Sequence, residues 1–146
     1  MEHQTLMDLL NMSVLPAWAL LIVAPRWRWT KAVVQTGLYP VVLGLAYIAL
    51  IVASVRTGQG GDIDFTTIEG ITAIFSHPLG VLTAWAHFLV LDLFAGMWEA
   101  RDAEERGVPW WALAPCLLLT FIAGPAGLLL YFVVRRKWRI DGAVAA

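Results

Sequence analysis

The sequence predicts an all-α, polytopic membrane protein with four transmembrane helices and a short interfacial amphipathic helix between the second and third. Three observations carry that reading. Of 146 residues, 60% are hydrophobic and 14% charged, whereas an ordinary soluble domain is nearer half apolar and a quarter charged. Mean hydropathy is +0.71, and a short soluble chain buries too little of its surface to hide so much apolar side chain. Four stretches approach the roughly 20 apolar residues that cross the hydrocarbon core of a bilayer. They form a single membrane domain, 1–146, with no room for a separate catalytic module.

The expected spans are residues 9–24, 32–54, 78–98 and 110–134. The second and fourth carry no charge, and the third is interrupted only by His87 and Asp92. Each is expected to be helical, because an unpaired backbone amide in lipid costs several kcal/mol. A short basic connection, Arg26-Trp27-Arg28-Trp29-Thr30-Lys31, makes the first two helices an antiparallel hairpin. The third runs on into the charged stretch Glu99 to Arg106, a solvated face that ends at Gly107 and Pro109. The longest linker opens with Thr57-Gly58-Gln59-Gly60-Gly61, read as a hinge. After it, Phe65, Ile68, Ile71 and Phe75 recur at helical spacing, with Asp64 as the expected cap. Residues 64–75 are therefore read as a helix lying in the interface.

Six of the eight tryptophans (Trp27, Trp29, Trp98, Trp110, Trp111, Trp138) fall at segment ends, as in an aromatic belt. With four spans, Lys and Arg divide five against five between the two faces, so the positive-inside rule leaves orientation open. An odd number of spans would reconcile the local charge signals, but 64–75 is too short and polar to supply one. The start Met-Glu-His-Gln-Thr has no basic region, so neither a cleaved signal peptide nor a transit peptide is expected. The expected location is a bacterial inner membrane. A net charge of −1 points to no nucleic-acid partner, and lone Cys116 can form no intrachain disulfide.

Ionisable groups within an apolar run usually face a protein interior or a wet cavity. His87 and Asp92 are such groups, and acid–base chemistry stands beside a plain packing role for each. At ~100° per residue, five steps set them roughly 140° apart, bordering opposite sides of a wide groove or serving different helix contacts. Asp92 lines up instead with Gly96 and Glu99, the latter only about 20° away. A metal site on this helix alone is not expected, and no cofactor is expected either. On the last helix Cys116, Thr120, Gly124, Gly127 and Tyr131 share one face. That stripe reads as a close-packing seam or as a wall for a long apolar ligand, placed by the Thr120 and Tyr131 hydroxyls. Pro125 should kink the helix near Phe121. Trp18 and Trp85 lie deeper than the belt, for core packing or for stacking on a conjugated ligand. Asn11, in the first helix, could hydrogen-bond across the bundle.

Three stretches resemble a known family. They are Leu15-Pro16-Ala17-Trp18 through Pro25-Arg26-Trp27-Arg28-Trp29-Thr30; Phe75-Ser76-His77-Pro78 with Trp85-Ala86-His87 through Asp92-Leu93-Phe94-Ala95-Gly96-Met97-Trp98; and Pro115-Cys116 through Thr120-Phe121-Ile122-Ala123-Gly124-Pro125-Ala126-Gly127-Leu128. Together they resemble the abscisic-acid-deficient-four-like, or neoxanthin synthase-like, family. The resemblance implies a four-helix membrane protein and, from the plant members, conversion of the epoxide violaxanthin to the allene neoxanthin. The implied function is a carotenoid- or xanthophyll-modifying enzyme of isomerase type. The family brings no agreed catalytic list. His87, Asp92 and Glu99 are the catalytic candidates read here, with Trp18, Trp85, Thr120, Gly124, Gly127 and Tyr131 as candidate ligand contacts. One acid would protonate the epoxide oxygen and one base would take a chain proton. A non-catalytic carotenoid- or lipid-binding assembly protein is the alternative, and a small transporter subunit a third. Membrane lipid is an expected partner, and a homodimer sharing the ligand groove is one assembly to test.

Overall fold

The computed structural model describes residues 2–58 and 64–138, and these form six α-helices. Gln59, Gly60, Gly61 and Arg139, used above in the hinge and charge readings, lie outside the described residues.

Helix α1, Glu2–Val23, buries Leu10, Val14, Ala17, Trp18 and Leu21, one stripe at helical spacing, against the centre of the fold. A five-residue π-helical turn, Thr30–Val34, follows, and Gly37 at φ +89° takes the left-handed conformation that starts the next helix. Helix α2, Leu38–Arg56, buries Leu43 alone. Val41, Leu45, Ile48 and Val52 are exposed on its outer face. It packs chiefly on α4 rather than on α1.

Helix α3, Ile68–Phe75, is the expected amphipathic element, but it starts later than residue 64 and Asp64 is not its cap. Thr67 caps it, its Oγ1 accepting from Gly70 N at 3.1 Å. Asp64 instead accepts from Thr66 N at 2.8 Å and from the Thr66 and Thr67 hydroxyls. Those bonds close the turn that presents Thr67. They also hold the Asp64 carboxyl below the ordinary aspartate range.

Helix α4, Pro78–Glu105, contacts each of the other five helices. Proline at its first turn suits a position whose amide has no helical partner. Its 28 residues rise about 42 Å, seven residues beyond the expected end at 98. Three helical segments, Glu2–Val23, Thr30–Arg56 and Pro78–Glu105, are long and apolar enough to cross a membrane.

The fourth apolar run departs from expectation. Residues 110–134 do not form one kinked span. They form α5, Trp110–Ile122, and α6, Gly124–Val134, broken at Ala123 (φ −150°, ψ 75°). The two helices fold back on each other as a tight hairpin. A Cβ on Gly127 would collide with the backbone nitrogen and hydroxyl of Thr120. At the open end, the rings of Trp111 and Trp138 lie 6.0 Å apart. At about 1.5 Å per residue, 13 residues in α5 rise near 20 Å, too short for a hydrocarbon core of about 30 Å. The physical reason is Gly124-Pro125. Pro125 cannot continue the ladder of α5, and Gly124 lets the chain turn against its neighbours.

The hairpin removes the charge tie. With three long helices and one that doubles back, the end of α6 returns to the end that holds the α1–α2 and α4–α5 connections. Arg26, Arg28, Lys31, Arg101, Arg106, Arg135, Arg136 and Lys137 gather there, with Arg56 alone at the opposite end among the described residues. Lys31 Nζ meets Glu104 Oε1 at 2.6 Å, and Arg26 Nη2 donates to the Val108 carbonyl at 2.6 Å. Trp110 Nε1 donates to the Ile22 carbonyl at 2.8 Å. These bonds tie the two connections together.

A groove at the tip of a broken helix

Asp92 lies 14 residues from the start of α4 and 13 from its end, so it sits at mid-length. The α5–α6 hairpin reaches the same level. Its tip brings Gly124 so close to the Asp92 carboxylate that a Cβ there would overlap both Oδ1 and Cγ. The start of α6 lies against that carboxylate, while the Ala126 and Gly127 amides donate to the Ala123 carbonyl and Pro125 has no amide hydrogen to give. No hydrogen bond reaches Asp92 among the described residues.

Beside this tip is a groove of about 880 Å³, walled by α1, α4, the end of α5 and the start of α6. Its apolar walls come from Val14, Leu15, Phe88, Phe121, Ile122 and Leu128. Its polar groups are few: Asp92, His87, Asn11 and Trp85. Trp85 Nε1 donates to Asn11 Oδ1 at 2.7 Å, the cross-bundle bond expected of Asn11. The volume falls within the usual range for small-molecule sites, and the lining has their usual character, apolar with a few placed polar groups.

His87 and Asp92, set apart around α4, both border this groove. His87 is exposed and also borders a second groove of about 440 Å³ beneath α3, with Tyr47, Thr83, Ile74 and Phe75. Its ring lies 5.6 Å from that of Tyr47. The two grooves meet at His87 and Phe88.

The other nominated residues divide sharply. Trp85 and Gly124 line the main groove. Glu99 is fully buried in the seam between α4 and α5, where the Thr120 hydroxyl donates to its Oε1 at 2.8 Å. Its Oε2 has no partner. Trp18 is buried beneath α4, packed so closely on Gly96 that a Cβ there would lie 2.7 Å from its Cη2. Gly127 is spent on the hairpin contact with Thr120. Tyr131, also fully buried, donates to Asp102 Oδ2 at 2.7 Å. The stripe on the fourth apolar run is therefore a packing seam along most of its length, and only Gly124 reaches the groove. Among the described residues, no three His, Cys, Asp or Glu side chains gather where they could hold a metal.

Sequence reasoning missed the tip itself and the Asp102 cluster. Gly124-Pro125 was visible as a break, but the sign of the turn was not. Nothing in the spacing paired Tyr131 and Arg135 with Asp102.

The profile of the ABA DEFICIENT 4-like family matches residues 5–131, most of the chain. The chain belongs to the ABA DEFICIENT 4-like family. It is 28% identical over 129 residues to the protein ABA DEFICIENT 4, chloroplastic, of Arabidopsis thaliana. The match takes in 84% of this chain and 57% of that relative, so the chain spans little more than half of its length. No solved structure matches. The groove, its two titratable groups and the hairpin tip all lie within the part shared with the ABA DEFICIENT 4-like family. That the relative is chloroplastic lends no support to the bacterial inner membrane expected above.

Proposed function

We propose that this ABA DEFICIENT 4-like chain is an integral membrane protein that takes a long apolar ligand of carotenoid or related isoprenoid type sideways from the bilayer and isomerises it beside Asp92. The observation that carries the proposal is the broken helix. Irregular backbone at mid-membrane depth is tolerated where it is buried in protein or lines a cavity, and broken helices commonly build binding sites there. Here the break, the carboxylate and the groove coincide.

The groove suits the ligand class. Its walls would contact a polyene along its length, while Asp92 and His87 supply two separated proton-handling groups. For an epoxide substrate, Asp92 gives a proton to the epoxide oxygen as its C–O bond opens. His87 takes a proton from the adjoining chain carbon, whose electrons form the new double bond of an allenic alcohol. One proton enters and one leaves, so the product is an isomer and no oxidant is required. General acid–base groups of this kind contribute about 10²–10⁴-fold.

The test is a pigment profile from membranes holding the protein and a candidate epoxide carotenoid. Asp92→Asn and His87→Ala should each lower conversion by about 10²-fold or more, while the protein still resists an alkaline membrane wash. Unchanged conversion in both variants overturns the catalytic reading. Wild-type protein that retains a polyene and never alters it assigns the groove to a holding or assembly role instead.

A further inference from the structure

A second site lies at the basic end, far from Asp92 along α4. Arg106, Arg135 and Arg136 converge with Phe132 on a pocket of about 520 Å³. Among the described residues, Asp102 is the one carboxylate that meets them: Arg106 Nε lies 2.8 Å from its Oδ2 and Arg135 Nη1 lies 3.3 Å from it. Tyr131 already donates to that same oxygen. Arg136 has no ion pair among the described residues, and Glu104 is engaged by Lys31. Among the described residues, two of the three arginines thus share one carboxylate and the third has none.

The arrangement is held in place. The Arg135 guanidinium stands 5.3 Å from the ring centres of both Trp98 and Phe132, and those rings are 5.5 Å apart. Its buried Nη1 makes no hydrogen bond despite the nearby carboxylate. A guanidinium nitrogen that is ion-paired but not hydrogen-bonded, three arginines against one carboxylate among the described residues, and an apolar ring on the same pocket suit a ligand with an anionic head and an apolar body. Arginine forks match phosphate oxygens in geometry and charge. The neighbouring Trp111–Trp138 pair marks the level where headgroups lie.

We infer that Arg106, Arg135 and Arg136 form a specific site for the phosphate of an anionic phospholipid, whose acyl chains run down beside Phe132. The site goes beyond the proposed chemistry at Asp92 and shares with it only the embedding in a membrane. An alkaline wash tests that embedding separately.

Native mass spectrometry of the full chain, from micelles mixed with dioleoyl-phosphatidylglycerol or dioleoyl-phosphatidylcholine, reads the site directly. Wild type should retain one phosphatidylglycerol in preference to phosphatidylcholine. Arg136→Gln should weaken retention by about fivefold and Arg106→Gln with Arg136→Gln by about 25-fold, at ~1 kcal/mol per arginine. Arg28→Gln removes the same charge from the same end but outside the pocket, and should change nothing. Equal losses in Arg28→Gln and Arg136→Gln would show a diffuse surface attraction and overturn the site. Displacement of the lipid by millimolar inorganic phosphate would assign the pocket to free phosphate and overturn the lipid claim. Should the double variant melt early, Arg136→Gln alone decides, since Arg136 makes no side-chain hydrogen bond, ion pair or ring contact among the described residues.

Discussion

Gly124 and the Asp92 carboxylate occupy the same few ångströms, and the site exists because position 124 has no side chain. Gly124→Ala should push the hairpin tip away from α4. The expected penalty is about 1–3 kcal/mol, the usual range for overpacking, read as an earlier melt in detergent, together with loss of ligand retention. A variant as stable and active as wild type would mean that Asp92 is not pinned at the tip. Asp64 offers a titration. Its folded carboxyl is acidified by Thr66 and Thr67, so its support for the α3 start is complete above the unfolded aspartate value near 4 and fades as pH falls through the lower folded one. Amide protection at Ile68–Ile71, measured against the intrinsic exchange rate at each pH, should therefore fall below about pH 4 and be insensitive to acid in Asp64→Asn. Asp92 and His87 were legible in the sequence because ionisable groups stand out in an apolar run. Glu99 read the same way and ended sealed in a packing seam, because only neighbouring helices decide whether a face meets a groove or a partner; Trp18 took the core-packing one of its two readings.

The hairpin of α5 and α6 was hidden for a different reason. Hydropathy measures how apolar a run is and how long, and 25 apolar residues satisfy it whether they cross or double back. Gly124-Pro125 reads equally well as a kink. What decides is Gly127 against Thr120, a contact seven residues apart that a continuous helix would hold about 10 Å apart along its axis. Gly127→Leu should force the two helices open and destabilise the protein by more than Gly124→Ala does, since backbone rather than a side chain stands in the way. Cysteines replacing Trp111 and Trp138, in a Cys116→Ala background, should be joined by a short bifunctional reagent. A crossing helix would hold those positions on opposite faces of the bilayer, so failure to crosslink in intact membranes would refute the hairpin.

Three long helices and one that returns give the molecule a polarity that four crossings would not. Eight basic residues gather at one end, and the acidic Glu2, Asp8, Asp64 and Glu69 lie at the other. By the positive-inside rule the C-terminus and the α1–α2 connection belong on the side from which the chain was inserted, with the N-terminus across. Reporter fusions at the two termini should therefore give opposite signals; matching signals would restore the even count. The sequence alone held all of these charges and tied only because the last segment was counted as a crossing.

The main groove is bordered by exposed apolar side chains, among them Leu15, Phe88, Leu91 and Ile122. On the proposed reading, a guest enters this groove from the lipid and never dissolves in water. Its effective supply is set by how many such molecules share the lipid with each copy of the protein, and by sideways diffusion in two dimensions. Turnover should thus rise with the mole fraction of substrate in vesicles at fixed bulk concentration. It should fall when inert lipid or detergent is added as diluent, even though nothing has bound to the protein to block it.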